Sequence, residues 1–118
     1  MSCIVDMDAI NAQMKLLEAN IEKDIAATVT PAFLATMTPV QIHYYAITLS
    51  NQALEDERVP IIGLRKGYFI RQIAKIQLSR REISPTKASA MQQIASRIIE
   101  QYRDKIVLLT IENIKCGY

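Results

Sequence analysis

The chain has no tryptophan, one histidine, two cysteines, three glycines and four prolines in 118 residues. Each shortage closes a class of function. A zinc site needs three or four ligands, and His43 has no second histidine and no cysteine pair to join it. It also lacks the orienting acid or nucleophile that a histidine catalyst requires, so it reads as a packed or surface residue beside Tyr44 and Tyr45. Cys3 and Cys116 lie near opposite ends and make no disulfide framework; they read as free thiols in a reducing compartment. The start, Met-Ser-Cys-Ile-Val-Asp, has no basic stretch followed by an apolar run, so the expected location is intracellular, cytoplasmic or nuclear. The longest apolar run, Ile106-Val107-Leu108-Leu109, is far short of the roughly 20 residues of a membrane helix, and no membrane partner is expected. Scarce glycine and proline leave no low-complexity linker, and there is no internal repeat. Each proline sits where a helix starts or a connection turns.

Half the residues are apolar, and they recur at helical spacing. The pattern predicts an all-α single domain over residues 1–118, a bundle of four or five helices. A first helix is expected from about Asp6 to Ala27. Met7, Ile10, Met14, Leu17 and Ile21 form a narrow seam along it, spaced as when one helix packs along another. Thr30-Pro31 ends this helix and a short turn follows. Thr38-Pro39-Val40-Gln41 holds a cap, a first-turn proline and a capping box. Ile42, Tyr45, Ala46, Leu49 and Ala53 mark one face of that second helix, expected to end near Glu57. The next helix, about Ile61 to Glu82, carries Ile62, Phe69, Ile73 and Ile76 on a main stripe. Tyr68, Ile70, Ala74 and Leu78 lie elsewhere around it, which predicts cover on more than one side. Ser84 caps the last helix, whose core face is Ala88, Met91, Ala95, Ile98 and Tyr102. Residues 106–111 fit either its continuation or a short C-terminal strand.

No constellation of catalytic residues emerges, and no metal or cofactor is called for. Glu55-Asp56-Glu57 would splay about 100° apart on a helix and reads as a solvated acidic end. Asp6 and Asp8 read as charges of a first helical turn. Gly63-Leu64-Arg65-Lys66-Gly67 lacks the ending of a phosphate loop and a preceding strand; small residues for close helix contact explain it better. Ser84-Pro85-Thr86-Lys87 is explained by the cap.

Charge is the strongest feature. Residues 1–58 hold three cations against eight anions, and residues 59–118 hold eleven against four. Arg65, Lys66, Arg71, Lys75, Arg80 and Arg81 follow one another with no acid among them. These six are the candidate contacts to acidic partners or to nucleic acid. On an ideal helix Arg71 and Lys75 lie opposite Arg80, so a single phosphate-tracking stripe is incomplete. Glu55, Asp56 and Glu57 are candidate partners of Arg71 and Lys75, because a short connection returns beside the basic helix.

Residues 68–80, Tyr-Phe-Ile-Arg-Gln-Ile-Ala-Lys-Ile-Gln-Leu-Ser-Arg, resemble the central helix of GINS subunits, the helical scaffold proteins of the archaeal and eukaryotic replicative helicase. Arg71, Lys75 and Ile76 match its alternation of basic and aliphatic residues. Ile83-Ser84-Pro85 with Ala88, Met91 and Tyr102 is similar to the Ser-Pro-initiated helix that follows in the Sld-type subunit. Gln77 and Arg81 stand where the family tends to have a basic and an apolar residue. Residues 106–118 are too short for the family's small β-domain, so the resemblance implies a helical-domain-only form. It also implies a non-enzymatic scaffold with sister subunits and the helicase ring as partners. The rival expectation is a DNA-binding transcriptional regulator acting as a helical dimer. The first-helix seam and the all-round apolar helix favour the scaffold, since a chain this short is expected to leave one of them for a partner or a second copy.

Overall fold

The computed structural model describes residues 5–114. Five α-helices follow in order: α1 Met7–Thr28, α2 Pro31–Leu34, α3 Pro39–Ala53, α4 Pro60–Ser79 and α5 Pro85–Ile114, with a 3₁₀ turn at Asp56–Arg58. No strand occurs among the described residues, and the fold is an all-α bundle. Local chemistry sets the starts. The Asp6 carboxylate accepts from the Asp8 and Ala9 amides, and the Thr30 hydroxyl from the Phe33 amide. Thr38 and Gln41 close the reciprocal capping box at α3, and Ser84 accepts from the Lys87 amide at α5. Four of the helices open with proline, whose missing N–H costs nothing in a first turn.

The ends are set differently. After α4, Arg81 takes a left-handed conformation at φ 57°. The Glu82 amide then donates to the Gln77 carbonyl and the Arg81 amide to that of Leu78. This double bond pattern usually closes on glycine, because a side chain costs about 1–2 kcal/mol in that conformation.

Helix α4 is the centre of the bundle, touched by α1, α3 and α5. Leu64, Ile70, Ile73 and Ala74 are buried on different sides of it. Its contact with α5 is the most extensive between two elements. Gly63 and Gly67, one helical turn apart, present bare backbone to α5. A Cβ on Gly63 would enter the ring of Tyr102; one on Gly67 would stand 2.7 Å from Ile99 Cγ1 and 3.3 Å from the Ala95 carbonyl. The glycine pair is thus a close-approach surface between helices.

Several boundaries and faces differ from the sequence reading. Helix α3 stops at Ala53 rather than near Glu57, because the buried Tyr102 hydroxyl of α5 donates to the Ala53 carbonyl. The acidic triplet then tightens into the 3₁₀ turn. Residues 106–111 are helix, since α5 continues as one rod of 30 residues, about 45 Å long. Residues 32–37 contain the short helix α2 as well as a turn. Ile62 and Leu78, placed on apolar stripes, are exposed; Ile99, not placed in the core, is buried. Most of the seam and of α4 is covered within the chain, α1 packing on α4 and α5, and α4 on α5. Cys3, Cys116 and Gly117 lie outside the described residues.

Candidate interaction surface

The basic residues are distributed by helix crossing. Arg65 pairs with Asp24 of α1, and Lys66 Nζ lies 2.6 Å from Asp56 Oδ2 with both side chains mostly buried. Arg71 Nη1 is 3.8 Å from Glu22 Oε1, its Nη2 donates to Ser96 Oγ at 3.1 Å, and its guanidinium sits 5.4 Å from the centroid of Tyr68. Arg80 Nε is 2.9 Å from Glu82 Oε1, and Nη1 donates to the Pro31 carbonyl at 3.3 Å. Lys75 and Arg81 are exposed and make no ion pair among the described residues. The pairing of Arg71 and Lys75 with Glu55, Asp56 and Glu57 is therefore corrected. The acidic turn precedes α4 directly and reaches Lys66, whereas Arg71 lies about 16 Å along the axis, beside α1.

A second polar cluster ties three helices and was not visible in the sequence. Glu18 of α1 accepts from the Tyr68 hydroxyl of α4 at 2.5 Å and from Arg103 Nε of α5 at 2.6 Å. Burial pushes the Tyr68 phenol well above its ordinary value of 10.0. The hydrogen bond to Glu18 and the charges of Glu18 and Glu22 push the same way, and Arg71 opposes them. Tyr68 is thus a fixed proton donor that locks α4 to α1. Tyr102 is also raised, first by burial and then by the Asp56 and Glu57 charges. Only the bundle geometry brings Glu18 to Arg103 across 85 residues of sequence.

The seam on α1 is mostly spent on this chain's own core. Ile10, Met14 and Ile21 are buried, Leu17 is half-buried, and a narrow cleft joins Met14 and Leu17 to Ile106 and Val107 of α5. Met7 departs from the expected seam: it is 43% exposed, at the first turn of α1.

The uncovered apolar surface lies instead on α3. Its inner face, Ile42, Ala46, Leu49 and Ala53, is buried as expected. On the opposite side Val40, Tyr44 and Ile47 are exposed along the helix and Leu54 just past its end, with Tyr44 at 64% and Leu54 at 63%. With Asn51 these positions are spaced 4, 3, 4, 3, a heptad seam. Helix α3 contains no Asp, Glu, Lys or Arg. Sequence reasoning took only the inner stripe of α3; the signal for the outer one, spacing plus absent charge, was there.

A groove of about 260 Å³ continues this surface at the α3 N-terminus, where Val40, His43 and Tyr44 face Gln77, Glu82 and Lys87. Glu82 Oε2 is buried there without a hydrogen-bond partner. A more open groove of about 430 Å³ between α1 and α4 mixes Glu22 and Lys23 with Arg71 and Lys75. Among the described residues no three potential metal ligands converge, and no helix is long and apolar enough to cross a membrane.

No family model, curated protein or solved structure matches the chain. The likeness to GINS subunits therefore rests on residues 68–80 and the Ser84-capped helix alone.

Proposed function

We propose that this chain is a non-enzymatic, intracellular helical scaffold subunit that works by presenting a helix face to other proteins. In its most concrete form it is a GINS-like component of a DNA replication helicase complex, meeting sister subunits and the helicase ring. The observation that carries the scaffold reading is the outer face of α3. A surface helix normally turns charged residues to water; this one exposes Val40, Tyr44 and Ile47 and has no charged residue along its length. Apolar area of this kind marks contact surfaces on soluble proteins. Four of the six basic candidates are engaged in ion pairs within the chain, which supports structural pairing over phosphate contact. The GINS-level reading has the sequence likeness as its support.

The test is capture from native extract with mass spectrometry, using the wild type and a Tyr44→Asp/Ile47→Asp variant. The wild type should retain defined partner proteins and the variant should lose them while keeping its circular dichroism spectrum. Helicase subunits among the partners would support the finer reading. Equal retention by both proteins would remove α3 as the working surface.

Lys75 and Arg81 favour a second reading, DNA binding by a helical dimer, because they are exposed cations without an ion pair among the described residues. Replacing both with Gln would then weaken binding to every DNA sequence. It would also flatten the salt dependence by about one unit per residue.

A further inference from the structure

We propose that the outer face of α3 pairs with the same face of a second copy of this chain, antiparallel, about a two-fold axis. This rests on the reading of that face as a docking surface and names its occupant.

Three observations carry it. First, Val40, Tyr44, Ile47, Asn51 and Leu54 alternate at coiled-coil spacing on one side of a helix that has no charged residue. Two identical copies can therefore approach without like-charge repulsion, the usual obstacle to self-pairing. Asn51 is the one polar residue of the seam, the kind of position that fixes register at some cost in stability.

Second, the two ends of the face carry opposite charge. Beyond Ala53 come Glu55 and Glu57, both exposed and in no ion pair among the described residues, which outweigh the one exposed cation there, Arg58. At the other end Lys87 lies across the groove from Val40 and His43. A two-fold antiparallel arrangement sets each acidic end over the partner copy's basic end. A parallel arrangement would set like against like.

Third, the surface does not stop at one helix. Helix α3 is 15 residues, about 22 Å long, which alone is narrow for a stable dimer. The groove lined by Val40, Tyr44 and Gln77 extends it sideways toward α5.

The experiment is light scattering and sedimentation equilibrium on the purified full chain. The expected mass is twice the chain mass of 13.3 kDa. Tyr44→Asp/Ile47→Asp should raise the dissociation constant by at least about 100-fold with an unchanged helical spectrum, since both residues are exposed in the single chain. Glu55→Lys/Glu57→Lys and Lys87→Glu should each weaken the dimer, by about three- to tenfold at low salt, and the two sets combined should restore it. Additive weakening in the combined variant would overturn the antiparallel arrangement. A folded wild type that stays at 13.3 kDa at high concentration would overturn self-pairing. If that monomer still loses its captured partners on Tyr44→Asp/Ile47→Asp, the docking surface stands with a different occupant. If neither mass nor capture changes, the docking reading falls with it.

Discussion

The ring of Tyr102 occupies the space that Gly63 leaves empty, and its hydroxyl is held at the same time by the carbonyl of Ala53. One α5 side chain thereby sets how closely α4 approaches and where α3 ends. Because the ring is pinned at its far end, it cannot swing away from an added methyl group. Gly63→Ala should therefore cost about 1–3 kcal/mol by overpacking, net of the roughly 1 kcal/mol that alanine gains in a helix. Urea denaturation of the purified variant measures this. A stabilised Gly63→Ala protein would show that the two helices are not in close contact.

Tyr68 and Tyr102 both have native phenol pKa values raised above the unfolded value of 10.0. Native protein then holds protons that the unfolded chain releases. Their contribution is intact below pH 10 and is lost as pH rises through that value toward the native ones. Each tyrosine adds a loss of up to about 1.4 kcal/mol per pH unit in that window. Denaturation midpoints should fall steeply for the wild type only above about pH 10, and less steeply there for Tyr68→Phe and Tyr102→Phe. Parallel curves for all three proteins would contradict the assignment.

The α1 seam separates a core position from an exposed one. Met14→Asp buries a carboxylate against Ile106 and Val107 and should cost more than about 3 kcal/mol. Met7→Asp should change stability by no more than about 0.5 kcal/mol. Thermal melts of the two variants side by side decide it.

Among the basic residues, cost should follow burial. Lys66→Ala leaves the mostly buried Asp56 carboxylate unpaired, a loss of about 2–3 kcal/mol. In the Arg71–Glu22 pair both side chains are more than a third exposed, so Arg71→Ala should cost about 0–1 kcal/mol. Equal losses would mean that the 3₁₀ turn is not anchored through Lys66.

Arg81→Gly removes the strain of a left-handed arginine. It should gain about 0.5–1 kcal/mol, after the entropy that glycine adds to the unfolded chain. A loss on chemical denaturation would show that the arginine makes a compensating contact.

Sequence by itself determined the features whose partners lie within about four residues. The capping box of Thr38 and Gln41, the Ser84 cap and the inner stripe of α3 follow from backbone geometry and helical period. They were legible because a helix places such residues together whatever surrounds it. The outer stripe of α3 was equally periodic, but which of two apolar faces is buried depends on where α4 lies. Helix α3 would run on through Glu55 by local preference; a tyrosine 49 residues away decides otherwise. The same holds for charge. Composition put acids in the first half and bases in the second, and only the helix crossings gave Glu22 to Arg71, Asp56 to Lys66 and Glu18 to Arg103. The closeness of α4 to α5, for its part, is set at Gly63 and Gly67. An ångström there moves every side chain along the contact, so no pattern confined to one helix encodes it.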